Sequence, residues 1–241
     1  MNSAISVEQY IQMQPRLSWR RRVLRSVIRL VIFRVICKVT VTGTENIPDS
    51  GSSILMMNHI SLLDPILSMG AVTQRFVIPM TKVENVRNPF IKPFVWWWGS
   101  YSVNRGEIDR KALTNSIELL RSGQLILIAP EGTRQHDGLA QPKDGLAYVA
   151  TKADSVIIPT AISGARDWLK DLKRLRRPDI RVNFGRPFKF KTDGRTRFPR
   201  EDLSAMTEEA MYQLALAVTD ENMRGIYSNI SNAKTDHLVF V

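Results

Sequence analysis

Ser53-Ile-Leu-Met-Met57 is a short apolar run, and Asn58-His-Ile-Ser-Leu-Leu-Asp64-Pro65 follows it without a break. A run of this length and character reads as a buried β-strand, and the polar residues after it read as a turn entering a helix. Similar runs recur at Arg75–Pro79, Leu125–Ala129 and Val156–Thr160, with Ile180–Phe184 as a further strand. Lys38–Thr42 alternates as a strand does, and Asn46-Ile-Pro-Asp-Ser-Gly51 is a turn cluster between it and Ser53. Helical patterns lie between the runs. Leu113, Ile117 and Leu120 share one face of Ile108–Arg121, which stops at Gly123; Leu146–Lys152 is shorter; and Leu203, Met206, Ala210, Leu214 and Ala217 stripe a late helix. Strands alternating with helices predict an α/β fold, a mixed and mostly parallel sheet flanked by helices.

The 241 residues suffice for one domain with a sizeable core. One cysteine, Cys37, excludes an intrachain disulfide, and three histidines with no second cysteine give no structural zinc pattern, so no metal is expected. The net charge of +11 is uneven: residues 1–40 carry eight Lys/Arg against Glu8 alone, and residues 166–200 carry thirteen against four acids. Two basic patches on an otherwise slightly acidic chain point to an anionic partner. Leu17–Ile36 is predicted as a helix with Arg21, Arg22, Arg25 and Arg29 on one side and Leu24, Val27, Ile28, Val31, Ile32, Val35 and Ile36 around much of the rest. Its arginines interrupt any stretch long enough to span a bilayer, and it has neither the apolar core nor the cleavage site of a signal peptide. It is expected to lie in a membrane interface with arginines at phosphate level. The chain thus divides into a basic amphipathic segment (1–37), an α/β domain (38–227) and a C-terminal tail (228–241).

Four short segments can carry chemistry. His59 and Asp64, five apart across a strand-to-helix turn, can place a carboxylate against one imidazole nitrogen. The carboxylate would fix the tautomer and leave the other nitrogen to act as base toward a hydroxyl. Glu131-Gly132-Thr133-Arg134 follows the strand Leu125–Ala129; its glycine allows a sharp turn, and its free N–H groups and Arg fork suit a phosphate. Arg105, closing Gly99-Ser-Tyr-Ser-Val-Asn-Arg105, and Lys82, in Thr81-Lys-Val-Glu84, are further anion-binding candidates at strand ends.

Together these segments resemble the lysophospholipid (glycerolipid) acyltransferase family, of the 1-acyl-sn-glycerol-3-phosphate acyltransferase type. The family's His-x4-Asp block matches His59 and Asp64. Its Gly-x-x-x-[Ile/Val]-x-Arg block matches Gly99 to Arg105, with Asn104 where an acidic residue is usual. Its Glu-Gly-Thr-Arg block matches 131–134 unchanged, and its apolar block with a proline matches Val156-Ile-Ile-Pro159-Thr-Ala161. Lys82 and Glu84 fall where the family has a Lys-rich segment. The resemblance covers about residues 38–165. It implies that His59, oriented by Asp64, takes the proton of an acceptor hydroxyl that attacks an acyl thioester, with no covalent enzyme intermediate. It also implies that Lys82, Arg105, Glu131, Gly132, Thr133 and Arg134 form the acceptor-phosphate site. Lysophosphatidic acid would be the acceptor, acyl-CoA or acyl-carrier protein the donor, and no bound cofactor would be needed. The enzyme is expected to associate peripherally or monotopically with the cytoplasmic face of a membrane. Phe94-Val-Trp-Trp-Trp98 would border the acyl chain or form a core or membrane-facing cluster.

Two other readings stay open on sequence grounds. One is O-acylation of a different lyso-lipid or glycolipid. The other is a basic nucleic-acid-binding protein using Trp168, Phe184, Phe188 and Phe190 among the cations of 166–200, although no nucleic acid is expected as a partner.

Overall fold

The computed structural model describes residues 6–82, 92–103 and 110–241, apart from the side chains at 81, 82 and 101–103. The strands are β1 (Lys38–Thr42), β2 (Ser53–Met57), β3 (Val77–Lys82), β4 (Tyr101–Val103), β5 (Leu125–Ile128), β6 (Val156–Ser163), β7 (Asp179–Phe184), β8 (Phe188–Phe190) and β9 (Leu238–Phe240). The helices are α1 (Val7–Val27), α2 (Asp64–Ala71), α3 (Lys92–Trp98), α4 (Arg110–Arg121), α5 (Gly145–Ala153), α6 (Trp168–Lys173) and α7 (Arg200–Ala217). α1 continues as wider π-helical turns through Ile28–Ile36.

The described strands make one sheet in the order β1-β7-β6-β2-β5-β3-β4, with β8 on β6 and β9 on β8. β4, β3, β5, β2 and β6 run parallel; β7 and β8 are antiparallel to β6. The expected mixed, mostly parallel sheet with helices is therefore the observed one. β2 lies between β5 and β6, and all five of its residues are buried, as are all four of β5. That double-sided burial is why these strands read as unbroken apolar runs rather than alternating ones.

Pro159 sits inside the long central strand β6, where a missing N–H would normally break a ladder. Its carbonyl accepts from Gly185 N–H (2.8 Å), so its nitrogen faces the same side. That is where β7 has ended and β8 has not begun, and no ladder bond is forfeited.

The N-terminal helix begins ten residues before the expected Leu17. Ser6 and Gln9 form a reciprocal capping box (3.2 Å each way), which the sequence reading overlooked. The helix runs through Pro15, at the loss of one backbone bond. Burial of Val7, Tyr10 and Leu17 on either side holds it in place. Residues 228–241 are not a free tail: β9 pairs with β8, and Leu238 is buried. α6, β8 and β9, at three to six residues, are too short for a periodicity to mark them in the sequence.

Candidate active site

In a parallel sheet the C-terminal strand ends share one edge, and the loops beyond them meet there. β2 and β5 are direct neighbours, so the segments after Met57 and after Ile128 are brought together. β3 and β4 end on the same edge, at Lys82 and Val103. The Lys82 side chain and Arg105 themselves lie outside the described residues.

His59 and Asp64 meet as their spacing predicts. His59 Nδ1 lies 2.9 Å from Asp64 Oδ2. That same oxygen accepts the backbone N–H groups of Ile60 (2.6 Å) and Ser61 (2.7 Å), and Oδ1 accepts the Ser61 hydroxyl (2.9 Å). Asp64 is fully buried and faces donors on both oxygens, so the His59 proton sits on Nδ1 as a further donor to it. Nε2 is then the nitrogen left for substrate. The His59 side chain keeps 18% exposure, enough to meet one. The turn is local: Asp64 opens α2, Pro65 takes the first-turn place that suits it, and the Asp64 carboxylate folds back over residues 60 and 61.

Glu131 holds the histidine from the other side. Its Oε2 accepts His59 N–H (3.2 Å), its Oε1 accepts Ala140 N–H (2.9 Å), and Gln135 N–H donates to the His59 carbonyl (2.7 Å). The carboxyl is buried and its pKa is raised, because desolvation outweighs the two backbone N–H groups and the nearby His59 ring. Glu131, grouped with the acceptor-phosphate segment for its part in shaping that loop, points its carboxylate inward and fixes the loop and the His59 backbone.

Gly132 has φ +73°, a conformation glycine adopts without strain, and the Lys143 side chain packs across it. Thr133 and Arg134 are exposed, and the Arg134 guanidinium has no partner among the described residues. Lys143 likewise has no partner among the described residues, so the fold brings a second cation up against the loop that carries Arg134. Asn58 was also missed. It is buried, and its amide bonds both Ile162 N–H (2.7 Å) and Ile162 C=O (2.9 Å), pinning the start of the His59–Asp64 turn to β6. An Asn directly after an apolar strand was the only available signal.

The aromatic run Phe94–Trp98 splits. Trp98 is core, with Nε1 donating to Val77 C=O (2.8 Å), whereas Trp96 and Trp97 are exposed. Arg20 lies over the Trp96 ring at 4.8 Å, and Trp19 meets Trp97 edge-on.

A buried carboxylate, a histidine whose Nδ1 faces it and cations without partners among the described residues thus meet at one edge of a mostly parallel sheet. Residues 38–163 match the model of the acyltransferase family, and the chain belongs to it. It is 33% identical over 142 residues to a 1-acyl-sn-glycerol-3-phosphate acyltransferase of Borreliella burgdorferi, covering 58% of this chain and 56% of that one. It is 25% identical to the Bacillus subtilis protein of the same name, covering 70% of this chain and 83% of that one. The chain spans about half or less of the length of several curated relatives it matches. The crystal structure of the 1-acyl-sn-glycerophosphate acyltransferase PlsC from Thermotoga maritima shares the fold, with a TM-score of 0.61 at 21% identity over 84% of this chain and 82% of that one.

Proposed function

We propose that this chain transfers a fatty acyl group from an acyl thioester to the free hydroxyl of 1-acylglycerol 3-phosphate, giving phosphatidic acid. The observation that carries the reading is the His59–Asp64 contact of 2.9 Å at the strand edge, beside a loop with an unpaired arginine. His59 Nε2 takes the acceptor proton as the hydroxyl oxygen attacks the thioester carbonyl. The C–S bond breaks, and the thiolate leaves with a proton. Arg134, with Lys143 beside it, holds the acceptor phosphate, and Lys82 and Arg105 complete the cation set that the family resemblance implies. The names of the Borreliella and Bacillus relatives support the acceptor. The donor is acyl-CoA or acyl-carrier protein, and no resident cofactor takes part.

The enzyme works on the cytoplasmic face of a membrane, as a peripheral or monotopic protein. No helix among the described residues is long and apolar enough to cross one. The N-terminal helix, however, leaves Trp19, Val23, Val27, Leu30 and Val35 exposed next to Trp96 and Trp97. An apolar face with tryptophans and flanking Arg20 and Arg22 suits an interface.

The test offers purified protein both donors with 1-acylglycerol 3-phosphate, lysophosphatidylcholine or glycerol 3-phosphate, followed by lipid analysis. Phosphatidic acid should form from the first acceptor alone. Turnover of lysophosphatidylcholine at an equal rate would overturn the assigned acceptor.

A further inference from the structure

We infer that the segment Arg166–Arg177, between β6 and β7, is a second membrane-docking element that inserts Leu175 into an anionic lipid surface. The inference rests on the proposal that the enzyme works at such a surface.

Leu175 is 97% exposed, more than any other large apolar residue described. It also has φ +57°. It ends α6: Leu175 N–H donates to Leu172 C=O (2.9 Å) and Arg176 N–H to Asp171 C=O (2.9 Å), the paired bonds of a helix stop that normally uses glycine. Leucine there is unfavourable twice over. Its Cβ strains the left-handed backbone, and its side chain gains no burial within the chain. Stability in water accounts for neither, whereas burial in lipid accounts for the side chain.

The surroundings carry the same chemistry. Leu169, also on α6, is 55% exposed, while Trp168 packs against the core and anchors the helix. The segment holds six Lys/Arg and two Asp. Arg166 pairs with Asp137, and Lys170 with Asp167. Lys173, Arg174 and Arg176, flanking Leu175, have no partner among the described residues. Arg177 ties the base of the segment to the N-terminal helix by donating to the carbonyls of Arg34 and Cys37. The base of the segment is thus held against the end of the helix whose apolar face is exposed. Free cations around an exposed leucine fit phosphate headgroups above acyl chains better than an acidic protein surface, which would recognise the charge and leave the leucine in water.

The test measures sedimentation of the full chain with vesicles of phosphatidylglycerol and phosphatidylcholine. Leu175→Asn suits the left-handed backbone and removes the apolar tip. It should hold or raise the melting temperature and weaken vesicle binding about tenfold. Replacing Lys173, Arg174 and Arg176 by Gln should weaken binding about a hundredfold at low salt and much less at high salt. Both variants should keep wild-type turnover of a short-chain, monomeric acceptor. Wild-type protein that binds vesicles while Leu175→Asn binds them equally well would overturn the docking element and leave the proposed function standing. Wild-type protein that binds no vesicles would overturn both. A variant that binds vesicles normally but loses turnover with a carrier-protein donor alone would assign the segment to that protein and overturn the inference.

Discussion

Asp64 and Glu131 treat His59 differently: one carboxylate grips its ring, the other its backbone N–H. Removing the ring should remove the base, so His59→Ala should lower turnover by at least ~10²-fold while the chain folds normally. A folded variant with near-normal turnover would end the mechanism. Glu131→Gln separates positioning from chemistry. Glutamine keeps the shape, but its amide NH2 must face either His59 N–H or Ala140 N–H, leaving a buried donor unpaired. Turnover should fall about 10- to 100-fold with little change in the acceptor KM, as small displacements of a reacting group do. The same variant has a pH signature. Burial raises the Glu131 pKa, so the folded chain binds a proton more tightly than the unfolded one. That contribution to stability is complete below the ordinary glutamate pKa of ~4.3 and declines as pH rises through the raised value. Thermal melts from about pH 4 upward should show a shallower decline for Glu131→Gln than for wild type.

At the scale of elements, the N-terminal helix turns part of its basic stripe inward and leaves part of its apolar arc outside. Arg21 is buried, with Nε donating to Trp98 C=O (2.7 Å) and Nη1 to Gln14 Oε1 (2.6 Å). Arg25 donates to the carbonyls of Val72 (3.2 Å), Thr73 (2.9 Å) and Arg75 (3.2 Å), and Arg29 to that of Gly70 (3.0 Å). Gly70 and Val72 stand at the C-terminal end of α2, where carbonyls lack helix partners and cations are favoured, and Thr73 and Arg75 lie in the segment just after it. Two arginines of the stripe expected at the lipid phosphates, Arg25 and Arg29, therefore cap the helix that carries Asp64. Removing residues 1–36 would uncover the core surface now facing Tyr10, Leu17, Ile28 and Phe33, so truncation is a poor probe of membrane contact. Point variants separate the faces. Arg21→Met should cost about 2–4 kcal/mol, since a buried carbonyl and amide lose their charged donor. Leu30→Ser with Val35→Ser, positions 63% and 62% exposed, should leave the melting temperature near wild type and weaken vesicle binding. An Arg21→Met chain as stable as wild type would show that the buried network contributes little.

For the molecule as a whole, the site depends on chain far from its motifs. Leu139 N–H donates to Met223 C=O and Ile226 N–H to Leu139 C=O, both at 3.1 Å, so residues 223–226 brace the loop from Glu131 to Ala140. Gly225, at φ +53°, approaches so closely that a Cβ would stand 2.1 Å from the Leu139 oxygen. Gly225→Ala must push the 138–140 loop, and with it Ala140 N–H, away from Glu131. Turnover should fall about tenfold or more in protein that still melts cooperatively. Unchanged turnover would show that the brace is dispensable.

Sequence alone determined what short-range geometry can determine. The His59–Asp64 contact closes within one turn, and the apolar strands show their double-sided burial in their own residues. The tertiary structure decided everything that needed a distant partner. Glu131 reads as a loop acid until β5 is set beside β2, and Asn58 reads as a turn residue until β6 supplies Ile162. The N-terminal helix has an apolar arc and a basic arc, and periodicity gives the angle between them but not which one turns inward. The fold turns parts of both inward: Ile28 enters the core, while Arg21, Arg25 and Arg29 reach the carbonyls of Trp98, Val72 and Gly70, acceptors that only the folded chain brings within range.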